Sequence, residues 1–478
     1  MKITNVLFFM NLLSGIGFSI LSPLFPSIGT KNGLTESLVG WVIGIFSLSS
    51  TCIAPFTPLL IKKFNRINLL YFSTFFEATC TLLYSFISFI NSFYVILIYM
   101  FIIRIIHGCC CGIIGTLIYS LTISLSKKSE LKKALGYLEI GWCIGIIIGP
   151  IFASIFYKLG GYPLPFLIIG LLLYISVFLT TKVSQEKTES NEKTEEDPPL
   201  LKFFTYGEIL FILGIFFFGY ISESFYYPCL TNHLEKNFGL SVSISSLFFV
   251  IIATSNVIIL QCLDKTTKKF GLYGTSCIGL IIVSLGVLMI YPYPPIPKKI
   301  IFIIIGFILI GCGDVPIFIP GLVALNKNIK RIDPNIDNLM ANDITSAINF
   351  VIINIADFCG PIIGGFLSTH LGFKSCCLII SCILLLYCFL YFIYFYKYIF
   401  DDFQKKGRRE SSFDVDIKTD ENELINHPGT FKDNNINNIL SSNEDYENII
   451  RRKNIYSGIL KKEEKNEQEY FNLDDKKG

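Results

Sequence analysis

The stretch "GYLEIGWCIGIIIGP", residues 136–150, places glycines, a proline and Glu139 inside a strongly apolar segment. Glycine and proline weaken a helix in water, and an acid is costly in hydrocarbon. Inside a bilayer, small residues instead let two helices approach closely, because packing replaces the hydrophobic effect there. Positions 141, 145 and 149 lie four apart, so they share one face of a helix. The stretch predicts a membrane helix that is bent at Pro150 and packed tightly against a neighbour.

The whole chain has the composition of a membrane protein. Hydrophobic residues make up 52% of the 478, and the mean hydropathy is +0.57. A crossing helix needs about 20 mostly apolar residues, and backbone groups in lipid must be bonded internally. We therefore predict an all-α integral membrane fold with twelve transmembrane helices. The apolar runs lie near 4–28, 37–61, 68–90, 93–125, 135–157, 162–181, 206–231, 241–262, 272–293, 299–325, 343–371 and 374–397.

Basic residues collect in loops that fall on one side of a twelve-span chain. Under the positive-inside rule, that side and both termini are cytosolic. We expect the protein in the plasma membrane or an intracellular vesicle membrane. The loop residues are Lys62, Lys63, Arg66, Lys127, Lys128, Lys132, Lys133, Lys265, Lys268, Lys269, Lys327, Lys330 and Arg331, with Lys298 and Lys299 as exceptions on the other side.

An internal repeat divides the chain into two six-helix halves. "LIKKFNR" (60–66) resembles "TTKKFGL" (266–272), and "KNGLTES" (31–37) resembles "NFGLSVS" (237–243). "GPIFASIFYKLGGY" (149–162) resembles "GPIIGGFLSTHLGF" (360–373). Such repeats enclose a cavity between two bundles. We predict an N-terminal bundle (1–181), a cytosolic linker (182–203), a C-terminal bundle (204–397) and a disordered cytosolic tail (398–478).

This organisation resembles the major facilitator superfamily. "RIIHGCCCG" (104–112), which begins with Arg104, is similar to a stretch that the superfamily often carries in span four. Span five is similar to the signature of drug:proton antiporters, and short segments resemble the vesicular amine and polyamine transporter branch. The resemblance implies that the small-residue face lies where the halves meet, against the other half, and seals the cavity. The motif residues are Gly136, Gly145, Gly149 and Pro150, echoed by Gly360, Pro361, Gly364 and Gly365.

The loop after span two departs from the superfamily pattern. The usual aspartate is replaced by Lys62, which is followed by Lys63, Asn65 and Arg66. The resemblance implies that this aspartate joins a cytosolic charge network, so its loss puts that network in doubt. Asp264, which ends span eight, is a partial counterpart in the second half.

Ionisable side chains inside apolar runs are candidates for function, because they are costly in lipid. A carboxylate that binds either a proton or a cationic substrate couples the two fluxes by competition. Asp357, Asp314 and Glu223 are the main candidates. An alternative is that each only pairs with Arg104 or a hydroxyl group. The further candidates for proton coupling or substrate binding are Arg104, Glu77, Glu139 and His107.

The fifteen cysteines all lie in apolar segments, where thiols usually act as small hydrophobes. Three consecutive cysteines at 109–111 point in different directions around a helix, so we predict no metal site. The sequence contains no nucleotide loop or nucleophile motif, and we predict no enzyme activity, cofactor or nucleic-acid partner. We expect a monomer whose partners are protons, a small-molecule substrate and the lipid bilayer.

The leading functional hypothesis is a secondary transporter that exchanges protons for an organic cation, amine, polyamine or drug-like solute by alternating access. It is favoured because acids outnumber bases inside the spans. A facilitator or symporter for a neutral or anionic solute is one alternative. A transport-inactive receptor or scaffold that recruits partners through its tail is another.

Overall fold

The computed structural model describes residues 3–125, 131–183, 200–291 and 297–426, and within these ranges all regular structure is helical. Two short 3-10 turns, Ala54–Phe56 and Ser85–Phe89, join the α-helices. The chain divides into two units, Met1–Lys405 and Lys406–Gly478, and the first contains every predicted span. The helices are α1 (Ile3–Lys31), α2 (Glu36–Ile53), α3 (Thr57–Phe64), α4 (Arg66–Tyr84), α5 (Phe93–Leu125), α6 (Leu131–Gly160), α7 (Pro163–Val183), α8 (Leu200–Phe203), α9 (Gly207–Ser224), α10 (Leu230–Phe238), α11 (Val242–Ser246), α12 (Phe248–Leu260), α13 (Leu263–Ile290), α14 (Ile300–Ile332) and α15 (Asn338–Asn426).

The predicted twelve crossings are confirmed. Ten described helical segments are long and apolar enough to span a membrane. One of them, Met340–Phe400, holds two crossings, because the backbone turns at Gly372 (φ 81°, ψ 154°). The apolar part of α7, Pro163–Phe178, supplies the remaining crossing.

Some boundaries differ from the predicted runs. The seventh run was expected to continue to residue 231, but α9 ends at Ser224. Pro228 explains the break, since the residue before a proline avoids helical backbone angles. The first part of the predicted disordered tail continues α15 to Asn426. Residues 184–199 of the predicted linker, the loop residues Lys127 and Lys128, and residues 427–478 lie outside the described ranges.

Apolar side chains cover both the interior and the outer surface of the first unit. Buried apolar residues form separate clusters in the two halves: one extends from Phe203 to Ile399, and two lie almost wholly in the first half. Large apolar side chains are also exposed, such as Phe178 at 73% and Ile258 at 68%. Exposed apolar surface of this extent is expected where lipid is the solvent.

The internal repeat is visible in the backbone. Among the described residues, six have a positive φ, and they form three pairs at equivalent positions of the repeat. Gly33 (87°) matches Gly239 (65°), and Gly161 (69°) matches Gly372 (81°). Asn65 (64°) matches Gly271 (71°), each directly after a Lys-Lys-Phe sequence. Positive φ favours glycine, and asparagine tolerates it best among the other residues. The two halves therefore use the same turns.

The halves meet where α2 packs against α15. A Cβ atom added at Gly40 would collide with the carbonyl of Pro361, and one at Gly44 with that of Phe358. From the other side, a Cβ at Gly365 would collide with the carbonyl of Glu36. Glycine is required here because backbone lies directly against backbone.

The glycines of α6 have a different partner from the predicted one. Gly141, Gly145 and Gly149 pack against α1, which belongs to the same half, whereas Gly136 has nothing within 4 Å of its would-be Cβ. The expectation that this stripe faces the other half was wrong. The physical reason is that α1 offers its own Gly15, so two glycine-bearing backbones come together. Helix α6 does contact α11 and α12 of the second half. Pro150 lies inside α6, which continues to Gly160.

Candidate functional site

Three carboxyl groups of the second half lie together; we call Glu223, Asp314 and Asp357 the acidic cluster. They come from α9, α14 and α15 respectively. Glu223 is close enough to each of the other two for their charges to interact. Asp314 is buried, whereas Glu223 and Asp357 are half-buried. The structure therefore brings together the three side chains that the sequence singled out first.

Asp314 lacks a hydrogen-bond donor. Its side chain is 1% exposed, and neither carboxyl oxygen accepts a bond from a described protein donor. Its nearest polar partner is the carboxyl group of Glu223. Two ionised carboxylates only accept, so this pair completes a hydrogen bond only when one of them carries a proton. The geometry therefore provides a place for a proton or for a cation.

Tyrosines surround the acidic cluster on the side where the halves meet. Tyr220 lies near all three carboxyl groups and also near Cys143 on α6 of the first half. Its ring stacks on Phe318 at 4.1 Å between centroids. Tyr227 packs against the apolar clusters of both halves. The acidic cluster thus lies beside the boundary between the bundles.

Arg104 lies in the first half and does not pair with the acidic cluster. Its Nε donates to the carbonyl of Val42 at 3.2 Å, and its Nη2 to that of Ile43 at 2.8 Å. The guanidinium carbon lies 4.5 Å from the centroid of the Phe46 ring. The alternative in which the three acids serve only to neutralise Arg104 therefore finds no support in its contacts.

Glu77 and His107 form a second buried polar group, together with Cys111. The ligand-capable atoms of these three residues all lie within 4.8 Å of one another. Nδ1 of His107 is 2.9 Å from the hydroxyl of Tyr84, and the thiol of Cys111 donates to Glu77 at 3.5 Å. Sequence reasoning took the three consecutive cysteines as one set and missed this combination. The signal was the four-residue spacing of His107 and Cys111, which places them on one helix face.

Glu139 stands apart from both groups. It is exposed on α6 and accepts a hydrogen bond from Tyr119. Its place near the start of α6 puts it close to the end of the molecule that carries the basic loops, which we call the basic face. The structure does not bring it into contact with the other candidate carboxylates.

The loop motif residues also lie at the basic face. Lys62 and Lys63 are exposed in the last turn of α3, and Arg66 begins α4. Asn65 makes the turn between them at positive φ, and Asp264 lies exposed in the first turn of α13. The chain thus turns at Asn65 between α3 and α4, next to Lys62, which stands where the superfamily usually has an aspartate.

Polar contacts connect the halves at the opposite face, the end that carries Lys31. Glu235 of α10 accepts a hydrogen bond from Ser27 at 3.0 Å and pairs with Lys31 at 3.5 Å. Nearby, Ser368 donates to Glu36. The remaining bonds across the halves join Thr30 to Asn232, Thr231 to the carbonyl of Pro23, and the amide of Ser37 to Thr369. All of these contacts, which sequence reasoning missed, join the two halves at the opposite face.

This fold of two repeated six-helix bundles around a polar centre is that of a membrane transporter. The Major Facilitator Superfamily profile matches residues 7–332. The chain belongs to the Major Facilitator Superfamily, and it is a multi-pass transporter of small molecules.

Known proteins resemble the chain over most of its length. The MFS-type transporter SLC18B1 of Mus musculus is 22% identical over 76% of this chain and 80% of its own length. Multidrug resistance protein 1 of Bacillus subtilis is 22% identical over 77% of this chain and 90% of its own. A bacterial homologue of the lysosomal transporter Spinster, solved in an inward-facing, occupied conformation, superposes with a TM-score of 0.65 at 12% identity. That superposition covers 82% of this chain and 96% of the homologue.

Proposed function

We propose that this transporter exchanges protons for an organic cation of the amine, polyamine or drug-like class. The observation that carries the proposal is the acidic cluster, in which Asp314 has no protein donor and Glu223 lies beside it. A buried carboxylate without a partner is expensive in a membrane, so it binds either a proton or a cationic ligand. Coupling follows because one site holds one of the two at a time.

In this proposal, a proton or a cationic substrate reaches Asp314 by way of Glu223 and Asp357, the half-buried members of the acidic cluster. Glu223 and Asp357 are half-buried, whereas Asp314 is buried, so a cation would meet the first two before Asp314. Because Glu235 and Glu36 join the halves at the opposite face, we expect exchange in this conformation to take place through the basic face. Alternation then requires the Lys31–Glu235 contacts to break and the basic face to close.

Aromatic rings support a cationic substrate. Tyr220 lies near all three carboxyl groups, and Tyr227 lies where the halves meet. Ring faces attract ammonium groups, with a contribution of about 0.5–2 kcal/mol that grows on desolvation. The similarity to a Bacillus protein whose name refers to multidrug resistance supports the drug-like class of substrate.

The orientation and assembly belong to the proposal as well. We place the basic face in the cytosol, because lysine and arginine in short loops favour that side. The membrane is the plasma membrane or that of an intracellular vesicle. A single chain contains both bundles and the whole acidic cluster, so we propose that the transporting unit is a monomer.

The experiment is uptake of labelled polyamines and monoamines into vesicles that contain the purified chain, with an imposed pH gradient. The expected result is accumulation that follows the gradient and that Asp314→Asn abolishes. The matched control is Asp337→Asn, an exposed cap of α15 whose oxygen accepts from the Met340 amide at 2.7 Å. Asparagine keeps that bond, so the control should transport normally.

Two outcomes would contradict the proposal. Uptake of cations that is indifferent to the pH gradient would make the protein a facilitator. Gradient-driven uptake of neutral or anionic solutes, with amines inert, would make it a symporter of the alternative class.

A further inference from the structure

The first half contains a polar group that the proposed exchange does not use. Glu77 lies on α4, and His107 and Cys111 lie one turn apart on α5. Glu77 is 1% exposed and His107 is fully buried, so both polar side chains are held inside the bundle. We propose that Glu77, His107 and Cys111 form a binding site for a divalent cation of the Zn²⁺ class.

The ligand set suits such an ion in number and chemistry. Zn²⁺ takes imidazole nitrogen, thiolate sulfur and carboxylate oxygen at about 2.0–2.3 Å in a tetrahedral arrangement. Ligand atoms around such an ion are therefore roughly 3.3–3.8 Å apart. Here the three lie within 4.8 Å of one another, so side-chain shifts of about 1 Å would close the site. Three protein ligands leave the fourth position open.

Two of the ligand groups present unused atoms. Nε2 of His107 and Oε2 of Glu77 are both buried and have no hydrogen-bond partner among the described residues. Nδ1 of His107 is paired with the Tyr84 hydroxyl at 2.9 Å. A metal-bound histidine usually has its other nitrogen held in this way, because the second bond orients the ring. A bound cation would satisfy both unused atoms at once.

Charge balance favours a divalent ion. When the ion binds, the Cys111 thiol loses its proton to solvent and its sulfur bonds the metal, while the Glu77 carboxylate and neutral His107 add no further positive charge. One thiolate and one carboxylate neutralise a 2+ ion, and a neutral site is the one that a membrane interior tolerates. The Arg104 guanidinium is a further positive charge nearby that repels a cation, so loss of either anionic ligand should weaken binding.

Access is through Cys111. It is half-buried, whereas His107 is fully buried. Cys111 shares its helix face with Arg104 and His107, and the lipid-exposed Ile105 and Ile106 lie on the other side. An ion therefore enters from inside the bundle and meets the thiol first.

The test uses Co²⁺ as a spectroscopic probe on the purified full-length chain in detergent. We expect one equivalent of Co²⁺ to bind and to produce a thiolate-to-cobalt charge-transfer band. Adding Zn²⁺ should displace the Co²⁺ and remove the band. Cys111→Ser should remove the band and weaken binding by about tenfold or more. The control is Cys109→Ser. The Cys109 thiol donates to the carbonyl of Ser49 at 3.9 Å, so its replacement should leave the band intact.

Thermal unfolding without metal shows whether each variant folds, and Glu77→Gln provides a second test if Cys111→Ser does not. Zn²⁺ should raise the melting temperature of the unsubstituted chain by a few degrees and that of folded Cys111→Ser or Glu77→Gln by less. Absence of the band in the unsubstituted chain, or its survival in both variants, would overturn the proposal. Transport is not measured, so the result is independent of the exchange mechanism.

Discussion

The two halves of the protein share their turns but differ in the polar groups that they bury. Gly33, Asn65 and Gly161 in the first half match Gly239, Gly271 and Gly372 in the second, each at positive φ. The acidic cluster of the second half consists of carboxyl groups alone, whereas the polar group of the first half combines Glu77 with His107 and Cys111 and lies near Arg104. The two copies of the repeat therefore share the backbone angles of their turns but differ in the polar side chains inside their bundles.

The largest difference should appear when one acid is replaced in each half separately and the two variants are compared. Asp314→Asn should lower gradient-driven uptake by more than about tenfold, because the acidic cluster then loses its central carboxylate. Glu77→Gln, the corresponding change in the first half, should retain most of the uptake. Initial rates in vesicles with equal protein content measure both. Equal losses in the two variants would remove the functional distinction between the halves.

The next effect concerns His233, whose equivalent in the first half is Ser27. Burial, and then the charge of Lys298, lower the pKa of His233 to about 4. The unfolded state then binds the proton more readily, so stability is complete above about pH 6.5 and is lost as the pH falls toward 4. The full difference corresponds to about 3 kcal/mol. Glu36, Lys236 and Lys374 line the same cleft.

Thermal unfolding between pH 4 and pH 8 measures this loss, and His233→Gln should flatten the curve. Ser27→Ala, at the equivalent position, should leave the pH dependence unchanged. An unaltered slope in His233→Gln would show that another group is responsible.

A smaller effect should distinguish two glycine-to-valine variants, one at a contact within a half and one at a contact between the halves. Gly145→Val places a side chain against the backbone of α1 and should lower stability by about 1–3 kcal/mol. Gly40→Val places one against the Pro361 carbonyl and should instead favour conformations in which the opposite face is open. Melting temperature reports the first change, and cysteine accessibility at the opposite face reports the second. A pure loss of melting temperature in Gly40→Val would mean that the boundary between halves is static.

The smallest effect should come from exchanging the paired turn residues. Asn65→Gly relieves a side chain held at φ 64°, and Gly271→Asn introduces one at φ 71°. We expect opposite changes of about 1 kcal/mol, because ψ is 146° at Asn65 and 177° at Gly271, and glycine adopts this positive-φ region far more readily than asparagine. Unfolding midpoints of the two variants measure the difference. Changes of the same sign would show that the two turns are not equivalent.

The sequence predicted the span count and the repeat and identified Glu223, Asp314 and Asp357 as candidates, because lipid requires a strict helix length and makes each buried charge conspicuous. It did not predict which helix the α6 glycines contact. A stripe of small residues indicates that another helix packs closely against it. Which helix this is depends on Gly15, which is far away in the sequence. The Glu77–His107–Cys111 group was missed for a similar reason, since it combines two helices.

The contact of α6 with α1 has a genetic consequence. A bulky residue at Gly145 would meet the Leu12 carbonyl and the Cα of Gly15, atoms that no substitution on α1 removes. At Gly170, by contrast, the neighbours include the branched end of the Leu82 side chain, which a smaller residue would withdraw. Selection for second-site revertants should therefore recover compensating changes for defects at residue 170 and none on α1 for defects at residue 145.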